Sequence, residues 1–495
     1  MLRTSFALLF CFQILAEVQH RSANVVAAEP FAIEVTDADS RRGIPLVELA
    51  TVNHLTFVTD NAGLVAFDEP GLLGERVFFH VRSHGYESPR DGFGAAGLSL
   101  VTRAGGRGKI ELKRINIAER LYRITGQGLY ADSIRLGRKT PIQQPLLNGQ
   151  VVGQDSTQAV LYRGKLRWFW GDTLKAAHPL GHFQTAGATS LAPDAGGLDP
   201  SIGIDLTYFT HPDGFSRPMA ALPEGGLVWI DGLLTVPDEQ GQPKLVTHFS
   251  RRKDLGTELE HGIMIYDDAR ESFVRAKSLD AKNSWRHPRG QATLHGEHWY
   301  FAHPFVTTRV RATLSDVLNP DGYESLVWTK NSDDRSAYVW QRQTAALDQK
   351  QEAAAITAGS IPAASARWQL RDAKTLQPVF AHVGTTRWNE WRKRWVMVCV
   401  QRGGSSFLGE VWYAEAPEIT GPWSDAVKIV THEKYSFYNP VQHAFFDQSG
   451  GQFIYFEGTY TNMFSGNAVA TPRYEYNQVM YRLDLADPRL IPARR

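Results

Sequence analysis

Apolar and polar residues alternate along most of this chain in short runs, the period of strands with one covered face. Between residues 29 and 113 the runs are FAIEVTD, VELATV, HLTFVTD, LVAFDE, RVFFHVRS and KIELKR, separated by turn residues such as Asp60-Asn61-Ala62-Gly63. Short strands so spaced predict a small β-sandwich over 29–115. The pattern changes over NIAERLYRITGQGLYADSIRL, Asn116 to Leu136. This reads as a short helix, a Gly-containing turn and a second short segment, forming a connector over 116–147. From 148 to 495 the apolar runs become aromatic hairpins. GGLVWIDGLLTV with KLVTHFSRR and HGIMIYDD makes one group and HGEHWYFAHPFV another. RWNEWRKRWVMVCVQRGG with GEVWYAEA is a third, and HAFFDQSGGQFIYFEGTYT with QVMYRLDL ends the chain. Together with the first hairpin, five such groups without a short exact repeat predict an all-β chain: a small N-terminal β-sandwich, then a five-bladed β-propeller, with one large sandwich as the alternative. The Ala-rich stretch 343–366 interrupts the pattern and reads as a part-helical surface excursion.

The first hairpin, VVGQDSTQAVLYRGKLRWFWGDT from Val151 to Thr173, carries the most specific pattern. With Arg163-Gly164 as a two-residue turn, Leu161 faces Leu166, Ala159 faces Trp168, Thr157 faces Trp170 and Asp155 faces Asp172. Small residues then oppose the tryptophans, and two carboxylates close the ladder. Opposed residues have Cβ atoms roughly 4.5–5.5 Å apart, where like charges repel. Such a pair either caps fraying strand ends, with backbone amides or an arginine as partners, or shares protonation so that one carboxyl raises the other's pKa.

Composition narrows the field further. Lys plus Arg number 53 and Asp plus Glu 52, for a net charge of +1, so nothing favours nucleic acid or an acidic membrane. The opening MLRTSFALLFCFQILAEV is too short to span a bilayer but fits an export leader, ending at the small residues Val26-Ala27-Ala28. Cleavage near Ala28 implies an exported protein (periplasmic or extracellular) without a transmembrane segment, and expected to be a monomer. Of two cysteines, Cys11 leaves with the leader, and Cys399 remains as a buried free thiol. No H-E-x-x-H, EF-hand loop or paired-Cys motif occurs, so spacing assigns no metal ligand.

Other residues join the hairpin acids as candidates. In HAFFDQSGGQFIYFEGTYT, a turn at Ser449-Gly450 brings His443 near Glu457, either as an acid and its orienting partner or as a core histidine beside a capping glutamate. Glu260, next to His261, precedes a strand. Glu410 begins another beside Gly409, where a ligand can approach closely. Arg289 in HPRGQATL could hold a uronate or pair with an aspartate. Trp170, and with it Trp168, Trp285, Trp299, Trp388 and Trp412, could stack on sugar rings, although packing between blades explains most of them.

Three stretches carry resemblances. GIPLVELATVNHLTFVTDNAGLVAFDEPGLLGERVFFHVRSHGYE resembles transthyretin-like, carboxypeptidase-regulatory-like modules, whose strands surround a turn standing here at Thr59 to Gly63. TRWNEWRKRWVMVCV followed by SSFLGEVWYAEAPEITGPWSDAVKIV resembles the blades of five-bladed glycoside hydrolases, the group of arabinanases, β-xylosidases and arabinofuranosidases, with a Gly421-Pro422-Trp423 turn. WFWGDT is similar to the first blade of a bacterial endo-D-arabinanase family, whose acidic pair on this hairpin matches Asp155 and Asp172. The resemblances imply hydrolysis of a carbohydrate by paired carboxyl groups, about 5–5.5 Å apart for retention or about 6.5–9.5 Å for inversion. Asp155 is then the base or nucleophile, and Asp172 adjusts its partner's pKa or acts as the acid. Glu260, His443 and Glu457 are candidates for the remaining acid. Some members of that class hold calcium in the central channel, which leaves calcium as the one cofactor to look for. A non-catalytic glycan- or protein-binding propeller, or a polysaccharide lyase using His443 or a nearby tyrosine as base with Arg289 neutralising a uronate, are the other readings.

Overall fold

The computed structural model describes residues 29–279, 281, 288–330, 335–470 and 475–494. The expected leader with Cys11, and Trp285, lie outside the described residues. The chain is nearly all β, and among the described residues no helix is long and apolar enough to cross a membrane.

Two four-stranded sheets come first. One contains Phe31–Asp37, Leu64–Phe67, Tyr86–Glu87 and Arg107–Arg114; the other contains Glu48–Thr51, Thr56–Val58, Arg76–Arg82 and Gly97–Val101. Alternation is clearest in RVFFHVR, where Val77, Phe79 and Val81 are buried and Arg76, His80 and Arg82 exposed. These inward residues join Ile33, Val35, Leu49, Phe67, Ile110 and Leu112 in one apolar cluster shared by both sheets.

Besides a three-stranded sheet (Val151–Gln154, Thr173–Lys175, His178–His182) and a two-stranded one (Leu370–Arg371, Pro378–Val379), five antiparallel sheets of four or five strands follow in chain order. The first is built on Gln158–Tyr162 and Lys165–Trp170, the second on Leu227–Pro237, and the third on Gln291–His295. The fourth begins at Ala381–Asn389 and the fifth at Ser436–Gln442. Hydrogen bonds join each to the next: Thr185 N–H to the Val228 carbonyl (3.1 Å), Gly232 N–H to that of Gly290 (2.9 Å), and the Thr293 hydroxyl to that of Thr386 (3.1 Å). Gln442 N–H donates to the Thr385 hydroxyl (3.1 Å), and Ser156 N–H to the Thr459 hydroxyl (3.1 Å) returns the fifth sheet to the first. The sheets therefore form a ring. An apolar cluster fills each junction, for example Phe169 and Phe249 between the first and second, and Trp168, Trp170 and Tyr455 between the fifth and first.

The hairpin has the expected register, Tyr162 opposite Lys165 through Gln158 opposite Phe169. The turn takes positive φ at both Arg163 (48°) and Gly164 (74°), the twist favoured between two strands. Beyond it the same register resumes at Gln154 opposite Thr173, so Asp155 and Asp172 do face one another.

One expectation changes and one is sharpened. Residues 119–123, read as helix, form the strand Glu119–Arg123, which pairs with Asn477–Asp484 as the outermost strand of the fifth sheet. All five of its side chains are buried, and the open edge of the last sheet supplies hydrogen bonds that local helix propensity could not outweigh. A short helix, Ala131–Arg135, follows instead. The Ala-rich stretch is part-helical and mostly exposed, as expected, but it is also anchored to the fold. Its helix, Gln349–Thr357, buries Glu352 completely, where the carboxylate accepts from Arg367 N–H (2.8 Å), Trp368 N–H (2.9 Å), the Gln369 side chain (2.7 Å) and the Tyr338 hydroxyl (2.6 Å).

Candidate active site

The inner strands of all five sheets converge on a cavity of about 550 Å³. Asp155, Trp170 and Asp172 enter it from the first sheet, Trp229 and Asp231 from the second, and Arg289 from the segment leading into the third. His382 and Gly384 come from the fourth, Asn439 and Val441 from the fifth. The strands lose regular pairing just there. Register shifts fall between Asp231 and Leu234, between Ala381 and Gly384, and between Tyr438 and Val441, while Ser156 and Asn439 take φ of 53° and 51°. Bulges of this kind turn side chains that would lie within a sheet toward the ring's centre.

Asp155 and Asp172 have unequal surroundings. Asp155 Oδ2 accepts from the Tyr438 hydroxyl at 2.8 Å and Oδ1 from the Asp172 N–H at 2.8 Å. Burial raises the Asp155 pKa, and the hydroxyls of Tyr438 and Tyr476 with the Asp172 amide oppose that rise. Donors of this kind favour the carboxylate. Asp172 has a single opposing donor, the Trp229 indole, at 2.8 Å from Oδ1. Burial and then the charge of Asp155 push its pKa up to about 7. Burial thus raises both carboxyls, Asp172 to about 7, while the donors gathered on Asp155 favour its charged form. Gly171 makes the approach feasible, since a Cβ there would lie 2.4 Å from Asp155 Oδ1.

A third acid in the cavity, Asp231, carries no mark as clear as the hairpin pair. Burial raises it to about 6 against the Gly290 N–H at 3.2 Å and the charge of Arg289. Its signal in the sequence is an aspartate followed by glycine inside the apolar run LVWIDGLLTV, with Gly232 at φ 60°. Glu258 also lines the cavity, where, against burial, the Ser250 hydroxyl (2.6 Å), His261 and Arg252 hold its pKa low. Trp229 is the second indole of the cavity after Trp170.

Of the residues singled out in the sequence, Asp155, Asp172, Trp170 and Arg289 meet here, and four others do not. Glu260 is ion-paired with Arg251 (3.0 Å) and Arg275 (3.2 Å) outside the cavity lining. His443 and Glu457 do bond, at 2.6 Å, but as a buried pair with His443 edge-on to Trp168, between the fifth and first sheets. Their register differs from the expected one: Glu457 faces Val441, and His443 N–H reaches the Tyr455 carbonyl. Glu410 is buried against Ser405, Thr431 (3.0 Å) and Lys428 (3.0 Å). Trp168 and Trp412 are core residues. Among the described residues no group of three or more His, Cys, Asp or Glu is placed to hold a metal ion. Cys399 is a buried free thiol whose pKa burial pushes up to about 12.

No protein-family model matches this chain, and no curated protein sequence does. Among solved structures, an exo-β-1,3-galactanase from Phanerochaete chrysosporium with β-1,3-galactotriose aligns at 7% identity and TM-score 0.38. That alignment covers 75% of this chain but only 65% of the galactanase. An exo-1,5-α-L-arabinanase from a bovine ruminal metagenomic library aligns at 9% identity over 68% of this chain and 94% of its own, with TM-score 0.35. An α-L-arabinofuranosidase from Fusarium graminearum, in complex with an iminosugar inhibitor, aligns at 10% identity over 75% and 99%, with TM-score 0.35. All three are glycoside hydrolases.

Proposed function

We propose that the ring of sheets is a five-bladed β-propeller with the catalytic centre of an exported glycoside hydrolase, preceded by a transthyretin-like sandwich. The observation that carries this reading is the opposed pair Asp155 and Asp172, with unequal donors, at the cavity where the five inner strands meet. Glycoside hydrolysis needs one carboxyl group to protonate the leaving oxygen and one carboxylate to attack or to activate water. Asp172, raised to about 7, is the acid. Asp155, steadied by Tyr438 and Tyr476, is the nucleophile or base. Trp229 offers an indole surface for a sugar ring, Trp170 is buried in the core behind the cavity wall, and Asp231 is the alternative acid.

The test is release of reducing ends from a polysaccharide panel by the purified protein. D155N and D172N are expected to fold and to lose about 10²–10⁴-fold in rate. Full activity in both variants sinks the assignment. Binding without turnover by the unaltered protein would instead identify a glycan-binding propeller. Products absorbing in the ultraviolet would identify a lyase, whose base would be a tyrosine such as Tyr438 and not His443, which lies apart from the cavity.

A further inference from the structure

A second chamber of about 560 Å³ opens beside the acidic cavity and shares Arg289, His303 and His382 with it. Its lining has the opposite sign. Arg402 and Lys350 add to Arg289, while the one carboxylate among its described lining residues, Asp348, is committed to capping the helix Gln349–Thr357 by accepting from Gln351 N–H at 2.8 Å. His303 and His382 are held neutral. Burial, then Arg289, His382 and Arg402, push His303 down to about 3, and burial with Arg402 pushes His382 down to about 4. Each has a buried Nδ1 without a hydrogen-bond partner, a costly arrangement in a packed protein.

The Ala-rich stretch supplies one wall of this chamber through Ala345, Ala346 and Leu347. That wall is fixed. The Gln349 side chain donates to the Val379 carbonyl (2.9 Å) and accepts from Ala381 N–H (3.0 Å), and buried Glu352 anchors the following turn. Arg289 also faces Asp231 of the acidic cavity, but Arg402 and Lys350 have no free carboxylate beside them among the described lining residues and leave a positive potential, and a guanidinium fork matches the oxygens of carboxylates and sulfates. A neutral glycan would leave that potential unanswered.

We propose that this chamber holds an anionic group, a carboxylate or a sulfate ester, on a sugar next to the one held at Asp155 and Asp172, so that the protein acts on acidic polysaccharide. The identity of the ligand as a glycan rests on the glycoside hydrolase reading; the anion site rests on Arg289, Arg402 and Lys350.

Calorimetric titration at neutral pH and low salt tests it, using a galacturonate tetramer, its carboxyl-reduced counterpart and a sulfated carrageenan tetrasaccharide. At least one charged probe is expected to bind about tenfold tighter than the reduced tetramer, as one or two charge-assisted hydrogen bonds would give. R402Q is expected to remove that preference without lowering Tm, R402K to keep part of it, and K350A, on an exposed position, to weaken it. Preference for the uronate identifies a carboxylate ligand, and preference for the carrageenan a sulfate. Equal affinity for charged and reduced probes, or a preference untouched in R402Q and K350A, overturns the proposal. Binding is read without turnover, so tight, Arg402-dependent binding of a charged probe that is never cleaved would sink the hydrolase reading and leave the anion site. Cleavage of neutral glycans alone, indifferent to R402Q, would do the reverse.

Discussion

The Tyr438 hydroxyl donates to Asp155 Oδ2 at 2.8 Å, joining residues 283 positions apart across the junction of the fifth and first sheets. The bond favours the ionised carboxylate. In Y438F the pKa of Asp155 is expected to rise further, moving the acid limb of the pH–rate profile upward and lowering kcat by about tenfold. A limb that stays in place while kcat falls would assign Tyr438 to packing alone.

On the proposed assignment Asp172 sets the other limb. With its pKa raised to about 7, the acid form declines above neutrality, and kcat/KM should fall through that range. The same shift acts on stability. A carboxyl whose folded pKa lies above its unfolded one binds more protons when folded, so its contribution favours folding at low pH and declines as pH rises toward the folded value. D172N is therefore expected to melt above the unaltered protein at pH 8, with the gap narrowing as pH falls from about 7 and closing only below about pH 4, where both states hold the proton. Equal melting temperatures at both pH values would show that Asp172 is solvated and unperturbed.

Gly171 is tested by its own substitution. In G171A the new methyl group would meet Asp155 Oδ1 at 2.4 Å, so the carboxylate must swing away from the Asp172 amide. Activity is expected to fall by about 10²-fold, the scale on which small misplacements act, while far-ultraviolet circular dichroism is retained. Unchanged kcat would mean that the carboxylate's position is not critical.

What could be read from the sequence was what neighbours in the chain decide. The pairing of Asp155 with Asp172 follows from one turn and the alternation of tryptophans with small residues, and both are local. His443 and Glu457 were legible as a contact for the same reason. Their distance from the cavity was not, because it depends on how the fifth sheet packs on the first. Asp231 needed the bulge at Gly232 and closure of the ring before it met Asp172's cavity. Glu119–Arg123 looked helical because its partner strand lies at the opposite end of the chain.

Glu260 separates structural from catalytic carboxylates. E260Q would leave Arg251 and Arg275 without their shared partner, at a cost of about 1–3 kcal/mol in unfolding free energy. Its kcat on any accepted substrate should be unchanged. A large loss of kcat at preserved stability would return Glu260 to the site.

Arg482 on the last long strand bonds Glu119 on the closing strand across 363 residues. At synthesis rates of about 5–20 residues per second, the strand Glu119–Arg123 waits roughly 20–70 s on the ribosome before its partner is made. Throughout that interval its five apolar and charged side chains and its unpaired amides remain uncovered, beside an N-terminal unit whose strands are already complete. Newborn chains are thus exposed to edge-to-edge association until the last few dozen residues emerge, and a nascent protein truncated before Asn477 would leave both Phe453–Thr461 and Glu119–Arg123 with an unmatched edge.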